Sequence, residues 1–413
     1  LEEIVAVDCY GRNARVSLLL TLGLALWGST AAAEVAPFSY DAETLALKTM
    51  FTDQQTQALA EAFVGLRPGS GRTHGLFPIK ASGVSTEPVR LAATHFLATL
   101  TPTQLLKTQF GVNDPEWRRW FNIDNALSVR QGVSLKEMTD GQRASAFDLM
   151  RASLSARGFA LTEAIRKTDQ TLRELNDGAP WLDEELYYFT VMGKPSPSEP
   201  WGWQLDGHHL VINYFVLGDQ VVMTPSFFGA EPAITSTGKH AGNAVLQDEQ
   251  AAGLALMQSL SEPEQTRATL ASRKTGNNLQ AGANADNLIL DYAGVRVGTL
   301  ATGLQHQVLE LIERFVGNMD EGHARIRMEE VAEHLEETWF GWVGDDSPDA
   351  VFYYRIHSPV ILIEFDHQQP IGTSHLHDPE LPTRAHIHTV VRTPNGNDYG
   401  KDLLSQHLSS HPH

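Results

Sequence analysis

The residues of this chain best suited to chemistry are histidines in close pairs. His386-Ile-His388 lies in a β-branched, extended stretch. Side chains two apart in a strand project to one face, so both imidazoles can reach a single metal ion. His375-Leu-His377 repeats the spacing, but its Pro- and Asp-rich surroundings predict a loop, and we discount it. Residues 357–413 hold nine of the 17 histidines, where an even spread gives about two. His411 and His413 stand at the chain end and are expected to be solvated. The adjacent pair His208-His209 follows Trp201-Gly-Trp-Gln-Leu-Asp-Gly207. Neighbours in a regular strand face opposite ways, so either one ligates and the other is structural, or a bulge at Gly207 turns both inward.

Two carboxylates share one face of the strand-like segment Val360-Ile-Leu-Ile-Glu-Phe-Asp366. Glu364 and Asp366 need partners there, because uncompensated burial of charge is costly. Near imidazoles they can ligate metal, orient a ligand or act as general base. The plainer role is a salt bridge to Arg355 or Arg392. Other templates are weaker. There is no Gly-x-Ser-x-Gly elbow, His-Glu-x-x-His or Gly-rich phosphate loop. Ser236-Thr-Gly-Lys239 and Lys274-Thr-Gly276 match serine β-lactamase motifs, but stand too close together and in loop-like sequence, and read as coincidence.

Helical spacing over 41–66, 86–110 and 140–176 predicts a helical first part, with Thr101-Pro102 and Thr139-Asp140 as helix starts. Strand-like segments follow at 185–193, 208–216 and 220–225, with Gly218-Asp219 as a hairpin turn. Helical pattern returns at 245–260, 263–272, 303–317 and 320–338. A second hairpin, 351–356 and 360–366, turns at His357-Ser358-Pro359; a strand near 386–391 and a helix near 401–408 follow. The expected fold class is α+β. A central antiparallel or mixed sheet is built from 185–225 and 351–391 and packed by the N-terminal and middle helices. Residues 34–413 read as one large domain, helical over 41–176 and mixed over 180–413. The polar Gly/Asn-rich stretch 273–287 reads as a surface excursion rather than a lid. Residues 98–104 and 258–265 share capping chemistry, and no convincing repeat is visible.

Composition narrows the setting. With 413 residues the chain can bury a substantial core. A net charge of -19 disfavours nucleic acid and anionic lipid as partners. A single cysteine, Cys9, excludes a disulfide framework and any multi-thiolate metal site. Arg12 and Arg15, the apolar run 16–26 and Ala31-Ala32-Ala33 describe a secretory signal peptide, preceded by an extension lacking that character. Residues 1–33 are therefore expected to be removed, leaving no stable membrane anchor. The expected location is the bacterial periplasm or the exterior.

Trp203-Gln-Leu-Asp-Gly-His-His-Leu210, Thr224-Pro-Ser-Phe-Phe-Gly-Ala-Glu-Pro232, Tyr353-Tyr-Arg-Ile-His-Ser-Pro359 with Ile363-Glu-Phe-Asp366, and His386-Ile-His-Thr-Val-Val-Arg392 with Asn397-Asp-Tyr-Gly400 together carry a resemblance. The chain resembles the domain-of-unknown-function 3500 family from about residue 45 onward. That resemblance implies a mostly secreted bacterial protein and brings no activity with it. It draws attention to Trp203, His208, His209, Tyr354, Arg355, Glu364, Asp366, His386, His388, Arg392, Asn397 and Asp398.

Combining these features gives one expectation. His208 or His209 joins His386 and His388 on a divalent metal, zinc before copper or iron. Bound water then attacks an ester-type small-molecule substrate. Glu364 serves as base or extra ligand and Asp366 orients. Arg355 and Arg392 hold a carboxylate or oxyanion. Trp203 and Tyr354 line the cleft, although core filling is the commoner role for a Trp. The alternatives are a copper or iron redox enzyme and a non-catalytic binding protein for a small organic ligand. Oligomeric state is not legible.

Overall fold

The computed structural model describes residue 38 and residues 40–410. The signal-like segment 1–33, His411 and His413 lie outside them. The helices are α1 (Ala42–Ala60), α2 (Glu87–Thr99), α3 (Pro102–Thr108), α4 (Asp140–Ser153), α5 (Ala156–Leu175), α6 (Gln247–Ser259), α7 (Glu262–Ala268), α8 (Thr302–Val316), α9 (Glu321–Glu333) and α10 (Lys401–Ser410). The strands are β1 (Gln109–Phe110), β2 (Val133–Ser134), β3 (Tyr188–Met192), β4 (Trp201–Gly207), β5 (Leu210–Leu217), β6 (Gln220–Val222), β7 (Ser226–Ala230), β8 (Thr269–Ala271), β9 (Val295–Arg296), β10 (Trp339–Val343), β11 (Tyr353–His357), β12 (Leu362–His367) and β13 (Ile387–Arg392).

All the strands join one mixed sheet, ordered β1-β3-β4-β5-β7-β13-β12-β11-β10-β8, with β2 on β3, β6 on β5 and β9 on β10. The expected α+β class and its two-part strand supply are present. The short β1 pairs in parallel with β3 and the short β8 with β10, and the ladders between these ends are antiparallel.

Helix starts follow capping chemistry. Thr101 and Thr139 each accept from the third residue of the helix, and Gln104 and Gln142 reach back to close capping boxes. These caps also explain two corrections. The helical pattern over 86–110 breaks into α2 and α3 at the Thr101-Pro102 cap. The pattern over 140–176 breaks at Ser155, whose hydroxyl accepts from the Gly158 amide to begin α5. Strands β4, β7 and β10 were not expected from the sequence. Each is buried on both faces, so its residues do not alternate between polar and apolar.

The strand faces sort the core. Trp203, Tyr214, Tyr354 and Ile363 pack under the helices with Phe96, Leu149, Ile165 and Ile312. Val211, Phe227, Leu362 and Val390 point the other way, towards Trp117, Trp120, Tyr399 and Leu403. Irregular chain and α10, rather than a helical layer, cover this second face.

Contrary to the sequence reading, the fold repeats itself. The order α2-α3-β1-β2-α4-α5-β3-β4-β5-β7 recurs as α6-α7-β8-β9-α8-α9-β10-β11-β12-β13. The registers agree as well. Phe189 faces Val133 and Leu205, and Leu205 faces Ile212. In the second half Phe340 faces Val295 and Ile356, and Ile356 faces Ile363. Gly132 and Gly294 enter β2 and β9 at φ +90° and +108°. A Cβ at either would lie 2.2 or 2.1 Å from the carbonyl of Phe189 or Phe340, so only glycine fits. Little residue identity survives between the halves, which hides the repeat from the sequence. The halves meet where β7 pairs with β13.

Candidate metal centre

The two histidine stretches converge at this seam. β4 and β5 are joined by a two-residue turn, His208-His209, with Gly207 opposite Leu210. His209 takes φ +59°, a left-handed conformation uncommon for a non-glycine residue. The Asn122 carbonyl accepts its amide at 3.0 Å, and its own carbonyl accepts from Gly229 at 2.8 Å. This turn sends the neighbouring rings to different partners. His208 Nδ1 meets Asp169 Oδ1 of α5 at 2.6 Å. The Tyr187 hydroxyl donates to Asp169 Oδ2 at 2.7 Å. Burial lowers the His208 pKa, but Asp169 outweighs it and holds the ring above its ordinary value. His208 is thus structural in geometry, with its ring stacked on His209 at 4.0 Å.

His209 faces His386 and His388. Its Nε2 is 3.3 Å from His386 Nε2, which is 2.9 Å from His388 Nε2. One nitrogen from each ring lies within 4.8 Å of the others. Ligands on tetrahedral zinc, at bonds of about 2.05 Å, are about 3.3 Å apart. Burial, then repulsion from neighbouring imidazoles, pushes His209 and His388 well below the ordinary histidine pKa. Both rings are therefore neutral, the form that binds metal. His386 Nδ1 lies 2.7 Å from the Gln369 carbonyl, which makes Nδ1 the protonated nitrogen and leaves Nε2 free to ligate. Glu231 Oε2 is 3.6 Å from the same Nδ1. Burial raises the Glu231 carboxyl, but His386, Thr373 and Gly372 hold it below its ordinary value.

Gly229 makes the space. It pairs with His388 across β7 and β13, and a Cβ there would fall 3.2 Å from His388 Cδ2 and 2.9 Å from the Ile387 carbonyl.

The expected carboxylates lie on the histidine face of β12, each already engaged. Asp366 is the cross-strand partner of His388, while Glu364 faces Val390 one pleat away. Asp366 Oδ1 pairs with Lys274 Nζ at 2.9 Å, and Oδ2 accepts the Asn278 and Leu279 amides and the Gln368 side chain. Glu364 accepts from the Tyr353 hydroxyl at 2.6 Å, the Ala281 amide at 2.7 Å and the Gln280 amide. Burial raises both carboxyl pKa values, against the pull of Tyr353 and the loop amides on Glu364 and of Lys274 on Asp366. Residues 273–287 are consequently no surface excursion. Two buried carboxylates clamp their backbone onto the sheet, and Lys274 is spent in that clamp.

Other expected positions separate from the histidines. Trp203 stacks between Phe189 and Tyr214 and donates to Ser153 Oγ. Tyr354 stacks on Phe365 and donates to the Glu249 carbonyl. Both lie under the helices, so they fill the core and do not line a cleft with the histidines. Arg392 is fully buried; it binds Asp398 and Asp286 and the carbonyls of Ala281 and Gly282. That leaves its guanidinium no free edge for substrate. Arg355 faces Glu364 and donates to the Asp291 carbonyl at 3.3 Å. Asn397 and Asp398 serve the turn into α10, where Asp398 also accepts the Thr393 amide. His375 and His377 are exposed, and Lys239 pairs with Glu184.

Sequence reasoning missed Asp169, Tyr187, Glu231, Tyr353 and Gly229. Asp169 and Tyr187 lack a spacing signal, and Glu231 and Gly229 were visible only inside a quoted motif. Tyr353 was passed over for its neighbour, which lies on the opposite face.

The molecule is an α+β protein of two interlocked half-sheets, with a three-histidine candidate metal centre where they join. The chain belongs to the DUF3500 family, described as "Protein of unknown function", whose family model matches residues 82–401. Neither a curated protein nor a solved structure matches it significantly.

Proposed function

We propose that the protein is a metal-dependent hydrolase, with zinc held by His209, His386 and His388 and an ester-type small molecule as substrate. One observation carries this reading. Three buried or half-buried imidazoles, one on β13, one just before it and one from a distant turn, bring one ring nitrogen each within 4.8 Å of the others. Such a set leaves a coordination position for water, whose pKa a bound metal lowers towards about 7. His386 is oriented by the Gln369 carbonyl and Glu231, and His209 by its fixed turn and the stacked His208. Glu231, whose Oε2 lies 3.6 Å from His386 Nδ1, is the carboxylate in contact with the centre and orients that ligand, while Asp366 is held in the loop clamp. The reaction takes place outside the cytoplasm in this reading, which rests on residues 12–33 of the sequence.

The test is elemental analysis of the untagged protein, combined with turnover of a chromogenic acetate ester. About one zinc per chain is expected, with turnover abolished by a chelator and restored by zinc. Equal metal content in wild type and in the His386→Ala/His388→Ala variant would remove the centre. Bound copper or iron with visible absorption would shift the reading to redox chemistry. Metal without ester turnover would leave a binding protein.

A further inference from the structure

Among the lysine–carboxylate pairs of the described residues, one is shut away from water. Lys107, Lys136 and Lys239 each keep 35% or more of the side chain exposed in their pairs. The side chains of Lys274 and Asp366 are only 2% and 0% exposed, with Nζ 2.9 Å from Oδ1. A dry ion pair gains little, because both ions lose their water. Burial lowers the Lys274 ammonium below its ordinary value, against the pull of Asp366.

The two oxygens of Asp366 have different surroundings. Oδ2 accepts the Asn278 amide at 2.7 Å, the Leu279 amide at 2.9 Å and the side-chain amide of Gln368. Oδ1 is buried with no hydrogen-bond donor besides the Lys274 ammonium. Three N–H donors fixed on one carboxyl oxygen are what stabilises the oxyanion that forms when a nucleophile adds to the carbon. The nucleophile stands beside it. A C–O bond spans about 1.2 Å, so Nζ lies within about 4 Å of Cγ. The Gly276 carbonyl also accepts from Nζ and holds it there.

We propose that Lys274 and Asp366 condense into an intramolecular amide, a covalent link between the loop 273–287 and β12. Nζ adds to Cγ, and Oδ2 carries the negative charge of the tetrahedral intermediate under its three donors. The Cγ–Oδ1 bond then breaks. Two of the three ammonium protons leave with Oδ1 as water, and the third stays on the amide nitrogen. The charges of the pair cancel, so the step needs no oxidant, reductant or second substrate. Two charges vanish from a dry site while the water formed passes to solvent, which favours the amide over the ion pair. Holding amine and carboxyl together supplies an effective concentration that free reactants lack. The reaction uses none of the three histidines and is separate from the proposed hydrolase activity.

Tryptic peptide mapping of the full, untagged chain by mass spectrometry tests this. The link blocks cleavage after Lys274 and joins residues 274–296 to residues 356–384 in one species, lighter than the two peptides together by one water, about 18 Da. That species is expected in the wild type, with fragment spectra placing the bond on Lys274 and Asp366. Lys274→Arg keeps the charge but offers no amine, and should give the two regions as separate peptides. Gln368→Ala removes one of the three donors to Oδ2 and should slow linkage about tenfold or more, read as linked fraction against time in freshly synthesised chain. Should a variant fail to fold by circular dichroism, the wild-type map still decides. Folded wild type that yields only the separate peptides would overturn the proposal. A linked species in folded Lys274→Arg, or an unchanged rate in folded Gln368→Ala, would overturn it as well.

Discussion

At the scale of single residues, the centre depends on what is absent as much as on its ligands. Gly229 leaves the gap that the His388 ring occupies. Gly229→Ala should displace that ring and lower the bound metal well below that of wild type, measured by elemental analysis, while the sheet persists by circular dichroism. Asp169 is fully buried, and its two oxygens serve His208 and Tyr187. Asp169→Ala strands both partners in a dry site and should cost about 2–4 kcal/mol in denaturant unfolding. A loss below about 0.5 kcal/mol would mean the network is not formed. Glu116 gives a pH effect of definite sign. Burial pushes its carboxyl from 4.5 up to about 8, against the pull of Arg119. Between those values the native state keeps a proton that the unfolded chain has released. Its favourable contribution is whole below about pH 4.5 and is lost as pH rises towards 8, with a slope of at most about 1.4 kcal/mol per pH unit. Glu116→Gln should flatten that slope and raise stability at pH 8 relative to wild type. A parallel pair of stability–pH curves would refute this.

At the scale of elements, the loop 273–287 is held by the strand beneath it. Glu364 and Asp366 accept four of its amides, those of Asn278, Leu279, Gln280 and Ala281. Glu364→Gln keeps the shape but weakens charge-assisted acceptance, by about 1–3 kcal/mol. Amide exchange at Gln280 and Ala281 should accelerate by one to two orders of magnitude, with β12 itself little changed. Uniform exchange across loop and strand would show that the carboxylate is not what pins the loop. The same dependence explains why a Gly/Asn-rich stretch can be ordered. Its order comes from carboxylates more than eighty positions away.

At the scale of the molecule, the two halves repeat an order of elements but share one sheet. The ladder between β7 and β13 runs from Ser226 opposite Val391 to Ala230 opposite Ile387. Separating the halves would expose an unpaired strand edge on each side, Ser226–Ala230 and Ile387–Arg392, a template for aggregation. A fragment covering 38–245 should therefore be insoluble or self-associated in size-exclusion chromatography, and the whole chain should unfold in one transition. A soluble monomeric fragment would show that the seam is an interface between independent domains. Placing the candidate centre at that seam also makes it depend on both halves. His209 comes from the first, and His386 and His388 from the second.

Local chemistry was readable from residues alone. The Thr101 and Thr139 caps, the Gly218-Asp219 turn and the shared face of His386 and His388 each follow from forces acting within a few residues. So did the α+β class, because apolar spacing reports whether a segment packs as helix or strand. The tertiary structure alone decided which imidazole meets which. Whether His208 or His209 turns inward depends on a left-handed turn and on Asp169, both fixed by packing against distant chain. It also decided that Tyr353 rather than Tyr354 shares the histidine face, that Arg392 is consumed by Asp286 and Asp398, and that the halves repeat. Each of those outcomes is set by contacts between positions far apart, whose cost and benefit no local pattern records.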